Sequence, residues 1–315
     1  PVRDAVTYHL EQGSALGREL DRLSDIELAE QIYEDEIDIL IDLSGHTTYC
    51  RLPMFGLRPA PVQMTWIGYP GTTGMKAIDY RILPDTIMHV PGMQEQCSEN
   101  LLFVPMEKTF EPFANSPDVN ALPALSNDYF TFGSFNRPKK INNAVLAVWA
   151  DILTGLPAAK LLIGFMDDPE LKASIKSWLL DKGVQENQLV FKERMRMEEY
   201  LAEHNRIDIM LDAFPYTGGT TTHHAAWMGV PTLSLRGETL AGCQGLDIMY
   251  TYGLEQFIAI DKADYVNKAI YWAEHAQELS QIRANMRDKI PTKRDDNFNV
   301  AATFERALRQ SWEMY

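Results

Sequence analysis

The sequence predicts an α/β protein with parallel sheets in two doubly wound lobes. Strand-like and helix-like patterns alternate along the whole chain, as they do where helices cover parallel sheets. The 315 residues are too many for one small core and suit two domains of roughly 120–190 residues each. Between the two series of elements, Glu107–Asp128 contains three prolines and little periodicity, so we interpret it as an interdomain linker.

The first series of elements precedes that linker. Ser24 and Glu27 form a capping box, which predicts a helix running to about Glu34. The β-branched run Glu36–Leu43 predicts the first strand. Three further strands are predicted at Val62–Gly68, Asp79–Asp85 and Asn100–Met106.

The second series restarts with a strand at Tyr129–Asn136 and a helix from about Asn142. The remaining elements are, in order, the strand Ala159–Met166, another helix, the segment Gln188–Arg194, a helix over Met197–Asn205, the strand Ile207–Phe214, a Gly/Thr turn, a short helix, the segments Val230–Leu235 and Phe257–Ile260, and two long helices over Lys262–Lys289 and Asn297–Glu313. We therefore predict an N-terminal lobe over residues 1–115, a C-terminal lobe over 116–296 and a C-terminal helix over 297–315. Two such lobes imply a cleft, and ligands bind beyond the carboxyl ends of the strands.

Composition excludes several classes of partner. The 29 Lys and Arg residues against 44 Asp and Glu give a net charge of −15, a field that repels nucleic acid and anionic membranes. No run approaches the ~20 apolar residues of a membrane-spanning helix. The N-terminus lacks the apolar core of a secretory signal, and it begins with Pro1 rather than Met, as a fragment would. Cys50, Cys97 and Cys243 lie far apart without a CxxC pair, which favours a reducing cytoplasm over a disulfide framework.

The segment Tyr216–His224 is the strongest candidate for chemistry. It joins a predicted strand to a helix, and its glycines would let the backbone approach a ligand closely. Threonine hydroxyls and unpaired N–H groups at the helix start offer an anion site, with a diphosphate as the expected ligand. A tight strand-to-helix turn with a threonine N-cap explains the same spacing equally well. No lysine follows the glycines, so the segment is not a Walker A loop.

Two further segments end strands of the predicted sheets. Phe135–Ile141 clusters three cations where the cleft should open, and Lys140 or Arg137 could neutralise charge on a departing phosphate. The loop Gly68–Gly74 is rich in glycine and faces the same cleft. A basic surface loop and a plain turn are the respective alternatives.

Histidines give weaker signals. His46 follows the first predicted strand and could be a base, an acceptor contact or a loop residue without a role. His223 and His224 are adjacent, so on a helix they point about 100° apart, and no acidic partner is spaced to complete a metal site.

The order of these segments resembles a known family. The segments are DLSGHT, LRPAPVQMTWIGYPGTTG, DY, FGSFNRPKKI, LD, GGTTT, W-x-G-V-P and GETLA. They follow one another as in the catalytic region of the O-linked N-acetylglucosamine transferases, the plant SPINDLY-type proteins and their bacterial homologues, glycosyltransferase family 41. The likeness runs from about Asp35 to the C-terminus, and RPAPVQ with W-x-GYPGT is its most specific part.

This resemblance implies a GT-B fold of two Rossmann-like lobes, the first on the acceptor side and incomplete at its N-terminus, the second binding the nucleotide sugar. It also implies an inverting reaction that needs no metal or other cofactor. Lys140 would hold the departing UDP phosphate, with His46 as a weak candidate for the base. The implied diphosphate or nucleotide contacts are Arg137, Gly219, Thr220, Thr221, Thr222 and His224. The implied sugar and phosphate loop comprises Gly68, Tyr69, Pro70, Gly71 and Thr72.

The chain departs from the family pattern at three places. His224 stands where family members often have an acidic residue, Gly219 stands where the animal enzymes have histidine, and Gly242-Cys243 replaces Ser-Arg. Arg137 occupies the position of a glutamine in the animal enzymes.

The resulting expectation is a cytoplasmic glycosyltransferase. It would move N-acetylglucosamine or another hexose from a UDP-sugar to a Ser or Thr hydroxyl of a protein or peptide acceptor, with tetratricopeptide repeats upstream of this chain. The alternatives are a homologue that binds UDP-sugar or protein without turnover, which the three departures favour, and a UDP-sugar epimerase.

Overall fold

The computed structural model describes residue 3 and residues 5–105, 111–290 and 300–315. The chain forms two compact units: one comprises Pro1–Ile82, Cys97–Leu101 and Leu308–Tyr315, and the other Leu83–Gln96 and Leu102–Ala307. The sequence analysis placed Leu83–Gln96 in the first lobe, whereas its contacts lie in the second unit, where Thr86 donates a hydrogen bond to Asp247.

Within the residues that the structure describes, ten strands form two sheets. They are β1 (Ile39–Asp42), β2 (Val62–Thr65), β3 (Tyr80–Pro84), β4 (Asn100–Val104), β5 (Thr131–Ser134), β6 (Lys160–Ile163), β7 (Leu189–Phe191), β8 (Ile209–Leu211), β9 (Thr232–Leu235) and β10 (Ile258–Ala259). Every strand lies inside a segment that the sequence predicted, and no strand end is more than three residues from the end of its segment. The segment Gln188–Arg194 contains β7.

The smaller sheet has the order β1-β2-β3-β4, with β1 parallel to β2 and β2 parallel to β3. Ile39 is level with Val62, so β1 and β2 end together and place their following loops side by side. The helix predicted from the capping box is present over Asp25–Glu34. Ser24 accepts the Glu27 N–H, and the Glu27 carboxylate accepts the Ser24 N–H at 2.8 Å.

The larger sheet has the order β10-β9-β8-β5-β6-β7, and its pairs are parallel. Counted from β5, this is the doubly wound order 3-2-1-4-5-6. The direction of winding reverses between β5 and β8, and ligands of such sheets bind outside the carboxyl ends of the strands at this switch point. All four residues of β5 are buried, as expected for a strand with both faces covered.

Eleven α-helices are present in the described part of the chain. They are α1 (Ala5–Gly13), α2 (Asp25–Glu34), α3 (Leu52–Phe55), α4 (Asn143–Gly155), α5 (Pro169–Asp181), α6 (Met197–Glu203), α7 (Thr220–Trp227), α8 (Gln244–Thr251), α9 (Lys262–Glu274), α10 (Ala276–Met286) and α11 (Val300–Glu313). None of these described helices is long and apolar enough to cross a membrane.

One prediction about the elements is wrong, and two fall partly outside the described residues. The single helix predicted over Lys262–Lys289 is wrong, because His275 leaves the helical region at φ −115° and ψ 45° and separates α9 from α10. The predicted start of the last helix at Asn297 lies outside the described residues, as does the first part of the predicted linker, Glu107–Phe110. The described remainder of that linker packs on the second unit, with Leu122 only 1% exposed.

Core packing around β5 fixes the larger sheet. Gly133 has no room for a side chain, since a Cβ there would overlap Ile207. Phe135, just after the strand, is fully buried and packs in one apolar cluster with Met210 and Met228. The carboxyl end of β5 therefore has a defined position, from which the next loop begins.

Candidate functional site

A lysine is held just beyond the carboxyl end of β5. The chain leaves this strand through Arg137 and a 3-10 turn, Pro138–Lys140. The Lys140 ammonium donates to the backbone oxygen of Thr217 at 2.6 Å and lies 3.8 Å from the centre of the Tyr216 ring. Because Tyr216 and Thr217 belong to the turn after β8, the lysine bridges the two strand ends at the switch point.

Three features of its environment act on the pKa of Lys140. Burial lowers the pKa of its ammonium, the Asp212 carboxylate acts to raise that pKa, and the Arg137 guanidinium acts to lower it. Lys140 is half-buried and Arg137 is exposed. A partly desolvated ammonium attracts an anion more strongly than a fully hydrated one does.

Asn142 ties the same two loops together a second time. Its side-chain oxygen caps α4 by accepting the Ala144 N–H at 2.9 Å. Its side-chain amide donates to the Phe214 backbone oxygen at 2.7 Å. The cap of one helix thereby anchors the start of the neighbouring turn.

The turn after β8 is built around a buried carboxylate. Asp212 is 1% exposed and accepts the N–H groups of Ala213 at 2.8 Å and Gly218 at 2.7 Å, and the Ser234 hydroxyl at 2.8 Å. A Cβ at Gly218 would overlap the Thr222 hydroxyl, so only glycine lets the backbone come this close.

Helix α7 starts at this turn without a side-chain cap. Its N-cap is Gly219, not a threonine, so the alternative of a threonine N-cap is wrong, and the N-cap residue gives no side-chain hydrogen bond to the helix start. Thr220 is exposed, Thr221 is half-buried and Thr222 is buried. The uncapped amino end carries partial positive charge beside Lys140, which is the arrangement of an anion-binding helix start.

The two histidines of α7 face different aromatic partners. His223 Nδ1 lies 2.6 Å from the Tyr252 hydroxyl, and His224 Nδ1 lies 3.3 Å from the Tyr200 hydroxyl. Burial lowers the pKa of His224, which favours the neutral imidazole. Within the described ranges, no three His, Cys, Asp or Glu side chains group as a metal site would require.

The GETLA segment supports the turn from behind. Thr217 N–H donates to the Ala241 oxygen at 3.1 Å, and the Gly245 N–H donates to the Thr217 hydroxyl at 3.0 Å. A Cβ at Gly242 would lie 3.0 Å from the Pro215 oxygen, so this glycine allows close contact of the two loops. Burial raises the pKa of the neighbouring Cys243 thiol to about 11, which keeps it protonated.

In the first unit, the loops after β1 and β2 are packed together. Asp42 accepts the Ser44 N–H at 3.0 Å, the Gly45 N–H at 2.8 Å and the Thr65 hydroxyl at 2.8 Å. Gly68, at φ +37°, has no space for a Cβ against Ser44. These contacts bring exposed His46 to the Gly68–Thr72 loop, where its ring lies edge-to-face with Tyr69 at 5.9 Å between centroids.

A buried glutamate and a buried arginine hold that loop. Glu99 accepts the Thr73 N–H at 2.6 Å, the Thr72 hydroxyl at 2.8 Å and the Thr73 hydroxyl. Arg81 is 2% exposed and donates to the Gly71 backbone oxygen. Neither residue was predicted from the sequence, although a charged residue inside a buried strand, as Arg81 is in β3, is an available signal.

The predicted residues fall into two groups. Lys140, Arg137, Gly219, Thr220, Thr221, Thr222 and His224 lie at the switch-point edge of the larger sheet. His46, Gly68, Tyr69, Pro70, Gly71 and Thr72 lie in the first unit, and their contact with sugar and phosphates stays a prediction. Asp212 stands in the LD motif, but neither it nor Asn142 nor Tyr200 was given a role, because each looks like an ordinary member of a strand end or helix.

The chain is similar to known proteins over nearly its whole length. The family model of Glycosyl transferase family 41 matches residues 19–112 and 119–303. The probable UDP-N-acetylglucosamine–peptide N-acetylglucosaminyltransferase SPINDLY of Solanum lycopersicum is 34% identical over 308 residues, covering 95% of this chain and 33% of that protein. Its Arabidopsis thaliana counterpart is 33% identical over 327 residues, covering 99% of this chain and 35% of the relative.

Solved structures show the same fold. A mutant O-GlcNAc transferase of Thermobaculum terrenum superposes with a TM-score of 0.88 at 32% identity, over 99% of this chain and 60% of that one. Anabaena HepE in complex with UDP has a TM-score of 0.56 at 11% identity, over 92% of this chain and 82% of that one, which is a likeness of fold alone. The predicted GT-B fold is confirmed, and the chain spans about a third of the length of the curated relatives. On the match of both lobes to one family model, the chain belongs to glycosyltransferase family 41.

Proposed function

We propose that this chain is the catalytic region of an inverting glycosyltransferase that needs no metal. It moves a sugar, N-acetylglucosamine or another hexose, from a UDP-sugar to a Ser or Thr hydroxyl of a protein or peptide. The observation that carries the proposal is Lys140, whose ammonium is held 2.6 Å from the Thr217 oxygen at the uncapped start of α7.

The chemistry follows from the charge that develops in the reaction. When the acceptor hydroxyl attacks the anomeric carbon from the face opposite UDP, the bond to the diphosphate breaks and negative charge grows on its oxygen. Lys140 has three N–H bonds, and one of them goes to Thr217, so its donating capacity can serve phosphate oxygens as well. The helix start adds backbone donors. Lys140 and these donors together supply the stabilisation that a metal ion provides in other enzymes.

The relatives support the same donor and acceptor class. The SPINDLY proteins of tomato and Arabidopsis are described as transferring N-acetylglucosamine from UDP to peptide, and they match nearly all of this chain. The first-unit loop with His46 is the place where we expect a base, if a side chain fills that role.

We also propose a cytoplasmic location and a protein acceptor rather than nucleic acid or membrane. Cys50, Cys97 and Cys243 are free thiols, which a reducing compartment preserves. The net charge of −15 disfavours polyanionic partners.

The test is a transfer assay with purified chain, a panel of UDP- and GDP-sugars and a peptide pool. We expect labelled sugar on Ser or Thr from one UDP-sugar, and a thermal shift with UDP but not GDP. UDP binding without transfer to any peptide would favour the non-catalytic homologue. Conversion of the donor sugar to its epimer without acceptor would favour the epimerase.

A further inference from the structure

We propose that Asp212 is a positioning residue for the transfer reaction, and that it acts through Lys140. Its buried carboxylate fixes the peptide group against which the lysine ammonium is held. This inference rests on the proposed function, in which Lys140 stabilises the departing diphosphate.

The central observation concerns one peptide unit. Asp212 Oδ1 accepts the N–H of Gly218 at 2.7 Å, and Lys140 Nζ donates to the carbonyl oxygen of Thr217 at 2.6 Å. This N–H and this carbonyl belong to the same planar peptide group, in which they point in opposite directions. The carboxylate and the ammonium therefore hold the two ends of one rigid unit, and a rotation of that unit loses both hydrogen bonds.

The position of the carboxylate is itself fixed from three directions. Ser234, in β9, donates its hydroxyl to Oδ2 at 2.8 Å, and Asn136, after β5, donates its amide to Oδ1 at 3.3 Å. A Cβ at Gly245 would lie 2.8 Å from Oδ2, so α8 closes the remaining side. The two strands that flank β8, β5 and β9, are thus both tied by hydrogen bonds to the Asp212 carboxylate.

The charge of Asp212 has a second effect. The groups that face Lys140 are Asp212, the Arg137 guanidinium and the Tyr216 ring. Burial and Arg137 lower the pKa of Lys140, and Asp212 is the group that opposes them. The coupling is reciprocal, because burial raises the pKa of Asp212 while Lys140 acts to lower it.

These effects give a test that structural damage alone would not mimic. In Asp212→Asn the side chain keeps its size and one acceptor oxygen but loses its charge. The lysine must be protonated to stabilise the leaving group, so activity falls as pH rises through its pKa. We expect the alkaline limb of the kcat profile to move to lower pH, and kcat to fall by roughly 10-fold while KM for the donor changes less.

Asp208→Asn is the matched control. Asp208 is also fully buried and accepts backbone N–H groups, from Thr131 at 2.8 Å and Ala124 at 2.9 Å, but it lies at the opposite end of β8. We expect its alkaline limb to superpose on that of the wild type. An unmoved alkaline limb in Asp212→Asn, with kcat unchanged, would overturn the proposal.

A titration without turnover separates this inference from the proposed function. The lysines are reductively methylated with a ¹³C label, and the Lys140 signal is identified by its loss in Lys140→Arg. We expect this signal to titrate at lower pH in Asp212→Asn than in the wild type, and equal titration would overturn the coupling. A wild-type chain that transfers no sugar refutes the proposed function, and the titration still decides the coupling.

If Asp212→Asn does not fold, Lys140→Met provides the reciprocal measurement. Lys140 is half-buried on a loop, so its replacement is less disruptive than a change at Asp212. The ¹³C signal of the Asp212 carboxyl should titrate at higher pH in Lys140→Met, because the opposing cation is gone. An unchanged carboxyl titration contradicts the coupling.

Discussion

Asp212 and Lys140 hold opposite ends of the peptide group that joins Thr217 to Gly218, with hydrogen bonds of 2.7 and 2.6 Å. This relationship places a carboxylate behind the turn and an ammonium in front of it. The turn leads directly into α7, whose N-cap is Gly219. The cation and the helix start are consequently parts of one structure, and changes in the turn should affect both.

Gly218→Ala should weaken binding of UDP. The added Cβ would overlap the Thr222 hydroxyl and lie 3.2 Å from Asp212 Oδ1, so the turn must move away from α7. We expect about a 10-fold increase in Kd for UDP, measured by titration calorimetry. Gly155→Ala is the control, because its Cβ would meet only Ile270 Cδ1 at 3.4 Å and should leave Kd unchanged. Equal affinity of Gly218→Ala and wild type would show that the close approach is irrelevant to the nucleotide.

Glu99→Gln should destabilise the first unit. One carboxylate oxygen accepts both Thr73 donors and the other accepts the Thr72 hydroxyl, so the single oxygen of a glutamine can serve only one of these two sets. The NH2 group would face the other set, and a donor there would lose its partner. The expected loss is about 1–3 kcal/mol of unfolding free energy, measured by urea denaturation. Exposed Glu95→Gln is the control.

The pH dependence of stability offers a second check on Glu99. Burial acts to raise the pKa of this carboxyl, but hydrogen bonds from Thr73 and Thr72 outweigh it, and the pKa is lowered overall. A lowered pKa stabilises the fold above the unfolded-state pKa, and that contribution is lost as pH falls through the folded-state value. The stability difference between wild type and Glu99→Gln should therefore shrink in acid. A difference that is constant with pH would contradict the assignment of a charged Glu99.

Asp208 should give the opposite pH dependence. Burial raises its pKa to about 6 from 3.8, so the group stabilises the fold below the unfolded-state pKa, and this contribution is lost as pH rises through about 6. The loss amounts to about 3 kcal/mol between pH 4 and pH 7. His204 gives the reverse pH dependence, since burial lowers its pKa to about 3. The quantity to measure is therefore the difference in unfolding free energy between the wild type and Asp208→Asn, in which the His204 contribution cancels. A flat difference across this window would refute the raised pKa.

Chelation should leave the reaction intact. The proposed donors for the diphosphate are the Lys140 ammonium and the backbone at the start of α7, and neither of them needs a metal ion. Initial rates of sugar transfer with EDTA should equal those without it. A rate that falls with EDTA and recovers with added Mg²⁺ or Mn²⁺ would require a metal in the mechanism.

Sequence patterns predicted the positions of the helices and strands better than they predicted the contacts between these elements. The strands stood out because fully buried parallel strands are continuous apolar runs, as in the segment containing β6 (Lys160–Ile163). The break at His275 was not visible in the sequence, because the apolar spacing of α9 and α10 continues across it. Local composition carries no signal for such a change of direction.

The site shows the same division. Lys140 and the threonines of α7 were visible as a cation near a strand end and a Gly/Thr turn. Asp212 was visible only as part of the LD motif, without a role, since its role depends on Ser234 and Gly218, which are 22 and 6 residues away along the chain. Glu99 likewise acts on residues 26 and 27 positions earlier. Hydrogen bonds between strand ends are set by sheet order, which a single sequence does not specify.

The most direct test of the central claim is the transfer rate of Lys140→Ala at saturating UDP-sugar. Removal of a cation that stabilises the leaving diphosphate should reduce kcat by roughly 10²-fold or more, while UDP still binds at α7. Lys139→Ala, which removes an exposed lysine one residue away, should transfer sugar at the wild-type rate. A Lys140→Ala variant that turns over as fast as Lys139→Ala would contradict the account.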